Sequence, residues 1–467
     1  MTDSTTAVAR YDLLIRGGQA VLPDGARAAD IAVCDGRVAA VLPAGAAAHA
    51  DRTVDAAGRW VLPGLIDSHV HFRTPGLTHK EDWPSGSRAA VAGGVTTVID
   101  MPNTAPPLFG PEELAAKQEL VAGTSLVDHR FHIGVDPAWP GRIKTFAGTD
   151  AGSAKAFLTG HHTAPHVLDT SGALRELFEA AADSGLLLLF HSEAEEVFRL
   201  LDGWQGEPRR WADYEAHRPR TGAIVATARL VDLVAEYRVP AHVLHVSTRE
   251  EADLLSAAGA AGLPVTFEVT GHHLSFTADD ARVLGARIRL SPAIRDRADQ
   301  DRLWQAVSDG EAATVGSDHA PHALADKLRP AADAPPGLPG VQELLPALYT
   351  GLAARHPDTG PAQLLAHVTR VLAERPAQLF GLDDRKGRIV PGADADLVVF
   401  DPDALWSLEQ ADIRSRCGWS AYQGRTLRGR VEHTVRRGET VYRRGADGSE
   451  FGPPTGRYLP RRTTHRA

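Results

Sequence analysis

Residues 61–73, VLPGLIDSHVHFR, decide the fold prediction. An apolar run leads into Asp67, His69 and His71, which alternate along a predicted β-strand. Side chains two positions apart on a strand point to the same side, so both imidazoles should face one way. Converging neutral imidazoles suit a metal such as zinc. An isolated HxH pattern also occurs at strand ends that bind no metal, so the rest of the chain must distinguish the two interpretations.

Strand and helix patterns alternate through the middle of the chain. Helical stretches such as PEELAAKQELVA (111–122) separate the strand candidates. Together with residues 61–71 there are eight strands, which predicts an α/β fold built as a (β/α)8 TIM barrel. A doubly wound sheet is the alternative, but no glycine-rich phosphate loop follows the first strand. The other strand candidates are residues 95–101, 129–135, 153–158, 186–193, 241–248, 264–270 and 313–319.

The two ends of the chain read as short β segments. Gly, Pro and Asp-Gly punctuate residues 11–62, which favours a small antiparallel sheet. Residues 394–402 and 428–445 look alike, with Gly438 at a hairpin turn. We therefore predict that both ends pair into one small β-sandwich domain beside the barrel. The predicted divisions are 1–62 for its N-terminal part, 63–385 for the barrel hydrolase domain, and 386–467 for its C-terminal part and a tail.

Composition excludes several classes of protein. The 467 residues are 43% hydrophobic and 23% charged with a net charge of -9, so no basic surface for nucleic acid is expected. Only Cys34 and Cys417 occur, which excludes a disulfide framework and a thiolate metal site. No apolar run approaches the ~20 residues of a membrane span, and the N-terminus lacks the apolar core of a signal peptide. We expect a cytoplasmic protein without nucleic-acid or membrane partners.

Polar residues recur where the predicted strands end, which is where a barrel of this kind places its active site. One histidine at a strand end is more often structural, but the whole set predicts a metal centre. These residues are His69, His71, Asn103, Lys155, His191, His245 and Asp318.

Lys155 and Asp318 have the most chemical potential in that set. Lys155 lies in the apolar context GSAKAFL, where burial lowers a lysine pKa. A neutral amine can react with carbon dioxide to form a carbamate, an anionic ligand that can bridge two metals; the alternative is a lysine that reaches the surface or pairs with an acid. Asp318 could bind a metal and relay a proton, or it could cap a helix.

Six ordered motifs carry a family resemblance. They resemble the cyclic amidohydrolases of the amidohydrolase superfamily, and dihydroorotase most of all. PGLTHKEDW (75–83) and APPGLPGVQELLPAL (334–348) resemble the dihydroorotase domain of the animal multifunctional pyrimidine protein. The six motifs are DxHxHFR-x-PG (67–76), MPNTxPP (101–107), HSE (191–193), HVST (245–248), TGHHL (270–274) and SDHAPH (317–322).

The resemblance implies two zinc ions. One would be held by His69, His71 and Asp318. The other would be held by His191 and His245, with carboxylated Lys155 bridging the two metals. Asp318 would be the catalytic residue, taking a proton from the attacking water and delivering it to the leaving ring nitrogen.

The resemblance also implies a substrate. Arg73, Asn103 and His322 match the positions that hold the substrate carboxylate in dihydroorotases, and an arginine fork suits a carboxylate. This predicts reversible hydrolysis of dihydroorotate to N-carbamoyl-aspartate, a step of pyrimidine biosynthesis. Ser291 stands where dihydroorotases commonly have asparagine or arginine, and a small residue there is more like a hydantoinase or allantoinase. A carboxylate-free ring, hydrolysed by an allantoinase or a hydantoinase/dihydropyrimidinase, is therefore the alternative.

A further alternative is an inactive relative that serves as a structural partner of aspartate transcarbamoylase, but such a protein should have lost metal ligands. The predicted partners are a small-molecule cyclic ureide and further copies of the chain in a dimer or tetramer. The loop TGHHTAPHVLD (159–169) is predicted to be a flap over the site, by analogy, or a plain solvated loop. Glu268 could reach a third metal or a ligand's hydrogen-bond network.

Overall fold

A computed structural model describes residues 10–160, 167–205, 210–445 and 448–461. The strands in this part of the chain are labelled in order. β1–β6 are Arg10–Arg16, Gln19–Leu22, Gly25–Cys34, Arg37–Pro43, His49–Asp55 and Trp60–Pro63. β7–β15 are Leu65–Val70, Val95–Asp100, Asp128–Phe131, Ile133–Gly134, Ser153–Phe157, Leu187–His191, Ala241–Val243, Val265–Thr270 and Thr314–Gly316. β16–β19 are Leu397–Ser407, Thr426–Arg436, Glu439–Gly445 and Gly448–Phe451.

Helices fill the connections between the middle strands. α1–α7 are Trp83–Ala92, Pro111–Val121, Ser171–Ser184, Glu195–Gln205, Tyr214–His217, Arg220–Tyr237 and Arg249–Ala260. α8–α14 are Gly271–Ser275, Ala281–Leu284, Arg297–Asp309, Leu324–Lys327, Leu344–Arg355, Pro361–Thr369 and Arg375–Leu379. Short 3-10 helices cover Pro140–Phe146, Trp211–Asp213, Ala278–Asp280, Gly285–Ile288 and Gln410–Asp412, and a π-helical turn covers Arg370–Glu374.

The strands β7–β15 form the predicted TIM barrel. β7, β8 and β9 pair in parallel, and β10 to β15 form a second parallel series. A parallel bridge between Val70 and His319 joins β7 to the end of β15. β9 and β10 are one barrel strand interrupted at His132, so the eight predicted strands are confirmed. Parallel strands of this kind are covered by helices and buried on both faces, which explains their nearly continuous apolar sequence.

The opening stretch is not one strand, as predicted, but two. β6 belongs to an outer sheet and β7 begins the barrel, with Gly64 between them. A Cβ atom at Gly64 would lie 2.3 Å from Thr96 Oγ1 and 2.6 Å from Asp396 Cβ, so only glycine fits where the two units meet. The break leaves Asp67 and His69 within β7 and places His71 just beyond its end.

Both chain ends build the outer sheet, as predicted. β6 pairs antiparallel with β16, which sets Val61 opposite Val399. The prediction of an antiparallel sheet needs correction, because β1–β5 and β2–β6 are parallel pairs and the sheet is mixed. β5 returns to the edge of β1 after the β3–β4 hairpin, and it therefore runs in the direction of β1. The predicted hairpin at Gly438 is present, and Arg437 and Gly438 both have positive φ, at 45° and 72°.

The C-terminal segment packs on the barrel where the sequence suggested a tail. The backbone N–H of Gly456 donates to Ser125 O at 2.8 Å, and that of Leu459 donates to His129 O at 2.8 Å. The Arg130 guanidinium donates to Leu459 O at 2.8 Å. Residues 448–461 therefore connect the outer sheet to β9 by hydrogen bonds.

Some sequence predictions fall outside what the structure tests. Residues 161–166 of the proposed flap lie outside the described part of the chain. The domain limits at 62/63 and 385/386 stay predictions. Among the described helices, none is long and apolar enough to cross a membrane.

Candidate metal centre and substrate pocket

A pocket at the carboxyl ends of the barrel strands gathers the predicted site. Every predicted site residue lines it except His322. His322 is buried behind Gly337, which lines the pocket, and its Nε2 lies 3.2 Å from where a Cβ of Gly337 would be. The lining residues are His69, His71, Arg73, Asn103, Lys155, Phe157, His191, His245, Ser291, Asp318, Ala320, Pro336 and Gly337.

Three side chains form a buried metal site. Ligand atoms of His69, His71 and Asp318 lie within 4.8 Å of one another. Asp318 Oδ1 is 3.2 Å from His69 Nε2 and 3.3 Å from His71 Nε2. Burial lowers the pKa of His69 to about 4 and that of His71 well below its ordinary value, so both imidazoles are neutral at pH 7. Neutral imidazole is the form that binds a metal.

A carboxylate behind this triad orients it. Glu268 Oε1 is 2.6 Å from His69 Nδ1, which leaves Nε2 of the same ring facing Asp318. The same oxygen accepts a hydrogen bond from the His245 backbone N–H at 3.3 Å. A hydrogen bond to the second nitrogen of a ligand histidine fixes the ring orientation. Burial and the nearby Asp318 raise the pKa of Glu268 to about 8. Glu268 thus connects two of the predicted metal ligands.

A second histidine pair faces the first. The ring centroids of His191 and His245 are 4.6 Å apart. Glu193 Oε2 lies 2.7 Å from His191 Nε2 and 2.6 Å from a guanidinium nitrogen of Arg218. Burial opposes ionisation of Glu193, but Arg218 and His191 outweigh it and lower the pKa to about 2. Sequence reasoning missed the ion pair between Glu193 and Arg218. Its only signal in the sequence was Glu193, two residues after His191 in the HSE motif.

Lys155 differs from an ordinary buried lysine. Its side chain lies on β11, the residue is 1% exposed, and its Nζ has no hydrogen-bond partner among the described residues. The centroid of the Phe157 ring lies 4.8 Å from Nζ. Burial lowers the pKa of Lys155 to about 7, although Asp318 and Glu268 act in the opposite direction. A large fraction of the amine is therefore neutral near pH 7, the form that reacts with carbon dioxide.

Backbone strain is concentrated at this pocket. Six described residues other than glycine have positive φ, and three of them are predicted site residues: Arg73 at 57°, His245 at 40° and Asp318 at 44°. Left-handed conformations cost a non-glycine residue roughly 1–3 kcal/mol and persist where the surrounding structure enforces them, often at functional sites. The fold therefore holds these side chains in orientations that a relaxed backbone would not adopt.

The substrate end of the pocket contains a buried cation. Arg73 is 2% exposed, and none of its three guanidinium nitrogens has a hydrogen-bond partner among the described residues. Burial lowers the pKa of Arg73 to about 10, so it stays charged near pH 7. Asn103 hydrogen-bonds to His71. The pocket thus presents a guanidinium with unused N–H donors beside the metal site.

Ser291 has a partner that the sequence did not reveal. Its Oγ is 2.6 Å from the hydroxyl of Tyr214, a residue 77 positions earlier in the chain. The Arg289 guanidinium carbon lies 4.3 Å from the centroid of the Tyr214 ring. No local pattern pointed to Tyr214, because α5 reaches the pocket only through the tertiary fold. Two hydroxyl groups therefore occupy the place where an asparagine or arginine side chain was expected for a dihydroorotase.

Comparisons with known proteins agree with this geometry. A model of the Amidohydrolase family matches residues 60–441. The chain is 36% identical to an allantoinase of Streptomyces avermitilis, covering 96% of this chain and 99% of that protein. It is 37% identical to a dihydroorotase of Halobacterium salinarum, covering 87% and 91%. The solved L-hydantoinase (dihydropyrimidinase) of Arthrobacter aurescens superposes with a TM-score of 0.90 at 28% identity, over 97% of this chain and all of that one. The predicted resemblance to cyclic amidohydrolases is confirmed, and the relatives' names divide between allantoinase and dihydroorotase.

Proposed function

The chain belongs to the amidohydrolase family, and from that premise we propose that it acts as a dihydroorotase, interconverting dihydroorotate and N-carbamoyl-aspartate. The observation that carries the substrate is Arg73, whose buried guanidinium finds no acceptor among the described residues. Asp318, Asp100 and Glu81 act on the charge of Arg73, but its N–H donors stay unused. Buried donors without hydrogen bonds carry a free-energy cost that an anionic ligand would relieve. The carboxylate of dihydroorotate is such a ligand, and it matches the planar fork of an arginine.

The roles of the metal ligands follow from the donor set. Neutral imidazoles, one carboxylate and an unpartnered amine fit a pair of divalent metals. We assign one zinc ion to His69, His71 and Asp318. We assign the other to His191 and His245, with carboxylated Lys155 shared between them. When bound, the metals would lower the pKa of water and polarise the ring carbonyl.

Lys155 becomes a ligand by its own chemistry. Its neutral Nζ attacks carbon dioxide and releases one proton, which gives a carbamate with two oxygen donors. The lowered pKa of Lys155, about 7, supports this step because it leaves the lone pair available near neutral pH.

Asp318 carries the proton. Among the described residues that line the pocket, it offers the one carboxylate. We propose that it takes a proton from the attacking water and delivers it to the ring nitrogen as the C–N bond breaks. Ring closure uses the same carboxylate in reverse, removing a proton from the carbamoyl nitrogen. Its left-handed backbone holds the carboxylate between the two imidazoles of the first metal site.

Hydrolysis of a carboxylate-free ring such as allantoin is the second candidate. Its support is the small hydroxyl of Ser291, paired with Tyr214 at 2.6 Å, where dihydroorotases commonly have a larger polar side chain. Allantoinase is also the name of a relative that matches this chain nearly end to end.

A substrate panel separates the two candidates. The zinc-loaded full chain is assayed side by side on dihydroorotate, allantoin, hydantoin and dihydrouracil. We expect the highest kcat/KM on dihydroorotate. A preference for any neutral ring would contradict the carboxylate assignment and favour the second candidate.

Arg73→Ala tests the residue behind that preference. We expect KM for dihydroorotate to rise about 10- to 100-fold, because hydrogen bonds to charged groups contribute roughly 1.5–3 kcal/mol. Arg73→Lys is the matched control: it keeps the charge, loses the fork and should fall between the two. An unchanged KM in Arg73→Ala would remove the carboxylate-anchor role.

A further inference from the structure

A second buried cation lies beside the substrate pocket. Lys327, at the end of α11, is 0% exposed. Its Nζ donates to the carbonyl oxygens of Arg289 at 2.9 Å, Pro335 at 2.9 Å and Gly337 at 2.8 Å. Burial lowers the pKa of Lys327, but three acceptors at this distance require three N–H donors, which only the ammonium has. Hydrogen bonds to the charged form favour it, so we take Lys327 to be an ammonium.

The three carbonyls belong to one wall of the pocket. Arg289 precedes Ser291 by two residues, and Gly337 lines the pocket directly. The Gly337 backbone N–H also donates to Arg289 O at 2.9 Å, so the two segments are joined twice. Gly337 has φ of 121°, and a Cβ there would lie 2.6 Å from Ala320 O. The wall therefore packs closely on Ala320, two residues after Asp318, and the Ala320 backbone N–H donates to Leu338 O at 2.9 Å.

The charge of Lys327 has no counter-ion nearby. Among the described residues, no carboxylate oxygen lies within 4 Å of its Nζ. Burial raises the pKa of the Cys417 thiol to about 12, so that neighbour is neutral. The nearest π face is Trp419, whose ring centroid is 5.9 Å from Nζ and whose indole N–H donates to His322 O at 2.7 Å. Lys327 Nζ binds the carbonyl of Gly337, which lines the pocket, so an ammonium without a carboxylate partner favours an anion in that pocket.

We propose that Lys327 is a positioning residue that holds the Arg289–Ser291 and Pro335–Gly337 wall and, together with Arg73, makes the pocket selective for an anionic ring. This inference rests on the proposed function, because it takes the substrate to carry a carboxylate. Arg73 contacts that carboxylate, whereas Lys327 acts through the backbone that it binds and through its charge.

Two variants separate the parts of this role. Lys327→Met removes all three donors and the charge, while Lys327→Gln keeps two donors without the charge. In zinc-loaded full chain we expect Lys327→Met to raise KM for dihydroorotate about tenfold, with kcat within about threefold of wild type and zinc content unchanged. Lys327→Gln should raise KM less. Lys386→Gln is the control. Lys386 is another buried lysine, at the contact between the barrel and the outer sheet, and its substitution should leave KM for dihydroorotate unchanged.

The outcomes are distinct. A wild type that does not turn over dihydroorotate refutes the proposed function, whatever the variants do. A wild type active on dihydroorotate, with KM unchanged in folded Lys327→Met, overturns the role of Lys327 alone. Equal KM increases in Lys327→Met and the Lys386 control also overturn it, since they would indicate general loosening. If Lys327→Met does not fold, Lys327→Gln is judged by the same criteria.

Discussion

Two buried clusters of charged side chains lie at different ends of the barrel strands, and they are built in opposite ways. Where the barrel meets the outer sheet, Lys386 Nζ lies 2.7 Å from Asp128, 2.7 Å from Asp396 and 3.0 Å from Asp394. In the metal centre, Lys155 Nζ has no hydrogen-bond partner among the described residues. Burial acts to lower the pKa of a lysine. At Lys386 the carboxylates outweigh burial and raise the pKa above its ordinary value, whereas at Lys155 burial prevails and the pKa falls to about 7.

The difference shows what each cluster is for. Asp128 begins β9 of the barrel, and Asp396 directly precedes β16 of the outer sheet, so Lys386 ties the two units together with its charge satisfied. The pocket instead leaves the Lys155 and Arg73 side chains without hydrogen-bond partners among the described residues, at a cost in stability that a ligand can recover. We call the group of Lys386, Asp128, Asp394 and Asp396 the closed cluster, because its charges are paired and stabilise the fold. We call the group of Lys155, Arg73 and Asp318 the open cluster, because its unused donors are available for chemistry.

The largest expected effect is at the open cluster. Asp318→Asn should reduce kcat by about 10³- to 10⁴-fold, because it removes the proposed proton carrier and a charged metal ligand. Circular dichroism should show a folded protein. Asp394→Asn is the matched control in the cluster around Lys386. It should lower the free energy of unfolding, because Lys386 and Arg385 lower the pKa of Asp394, while kcat stays near wild type. Substantial turnover by Asp318→Asn would refute the proton-relay role.

The second-largest expected effect is a loss of stability in the closed cluster. Lys386→Met leaves three buried carboxylates without their shared cation, and it should lower the free energy of unfolding by about 3–5 kcal/mol. Chemical denaturation measures this change, and KM at a temperature where the variant is folded should match wild type. A loss below about 1 kcal/mol would mean that the junction charges do not hold the two units together.

A lysine-to-methionine substitution in the open cluster should change the free energy of unfolding in the opposite direction. In metal-free protein, Lys155→Met replaces an unpartnered buried amine with an apolar side chain and should raise the free energy of unfolding by about 1–3 kcal/mol. In zinc-loaded protein it should remove metal and activity. Destabilisation of the metal-free protein to the extent seen for Lys386→Met would break the contrast between the two clusters.

The smallest effect concerns pH. Burial acts to raise the pKa of Asp128 and Asp394. Lys386, together with Arg437 and Arg436 at Asp128 and with Arg385 at Asp394, outweighs burial, and both pKa values lie below the ordinary 3.8. Depressed carboxyl pKa values contribute stability that is present above about 3.8 and is lost as pH falls through the folded values. Asp396 has a raised pKa and partly offsets this. The difference in unfolding free energy between metal-free wild type and Lys386→Met should therefore narrow by about 1 kcal/mol below pH 4. A constant difference down to pH 3 would argue against this linkage.

Sequence alone determined the barrel and most of the pocket. The periodicity of hydrophobic residues and the Gly and Pro residues between elements are local signals. Eight strands could therefore be predicted from apolar runs separated by helical patterns. Parallel strands present their carboxyl ends at one rim, and residues at or just beyond the ends of β7, β12 and β15 were therefore predicted to meet. Lys155, predicted to join them, lies in the middle of β11. Lys155 could be singled out because a charged residue inside an apolar strand is unusual in itself.

Only the tertiary structure decided the partners of those residues. Arg218 reaches Glu193 from 25 positions away, Tyr214 meets Ser291 across 77, and Lys327 binds the carbonyl of Arg289 across 38. Side-chain hydrogen bonds between distant segments leave no periodic trace in the sequence. The parallel pairing of β1 with β5 was hidden for the same reason. Whether a buried charge is matched or unmatched depends on these long-range contacts, and that property separates the metal centre from the junction cluster.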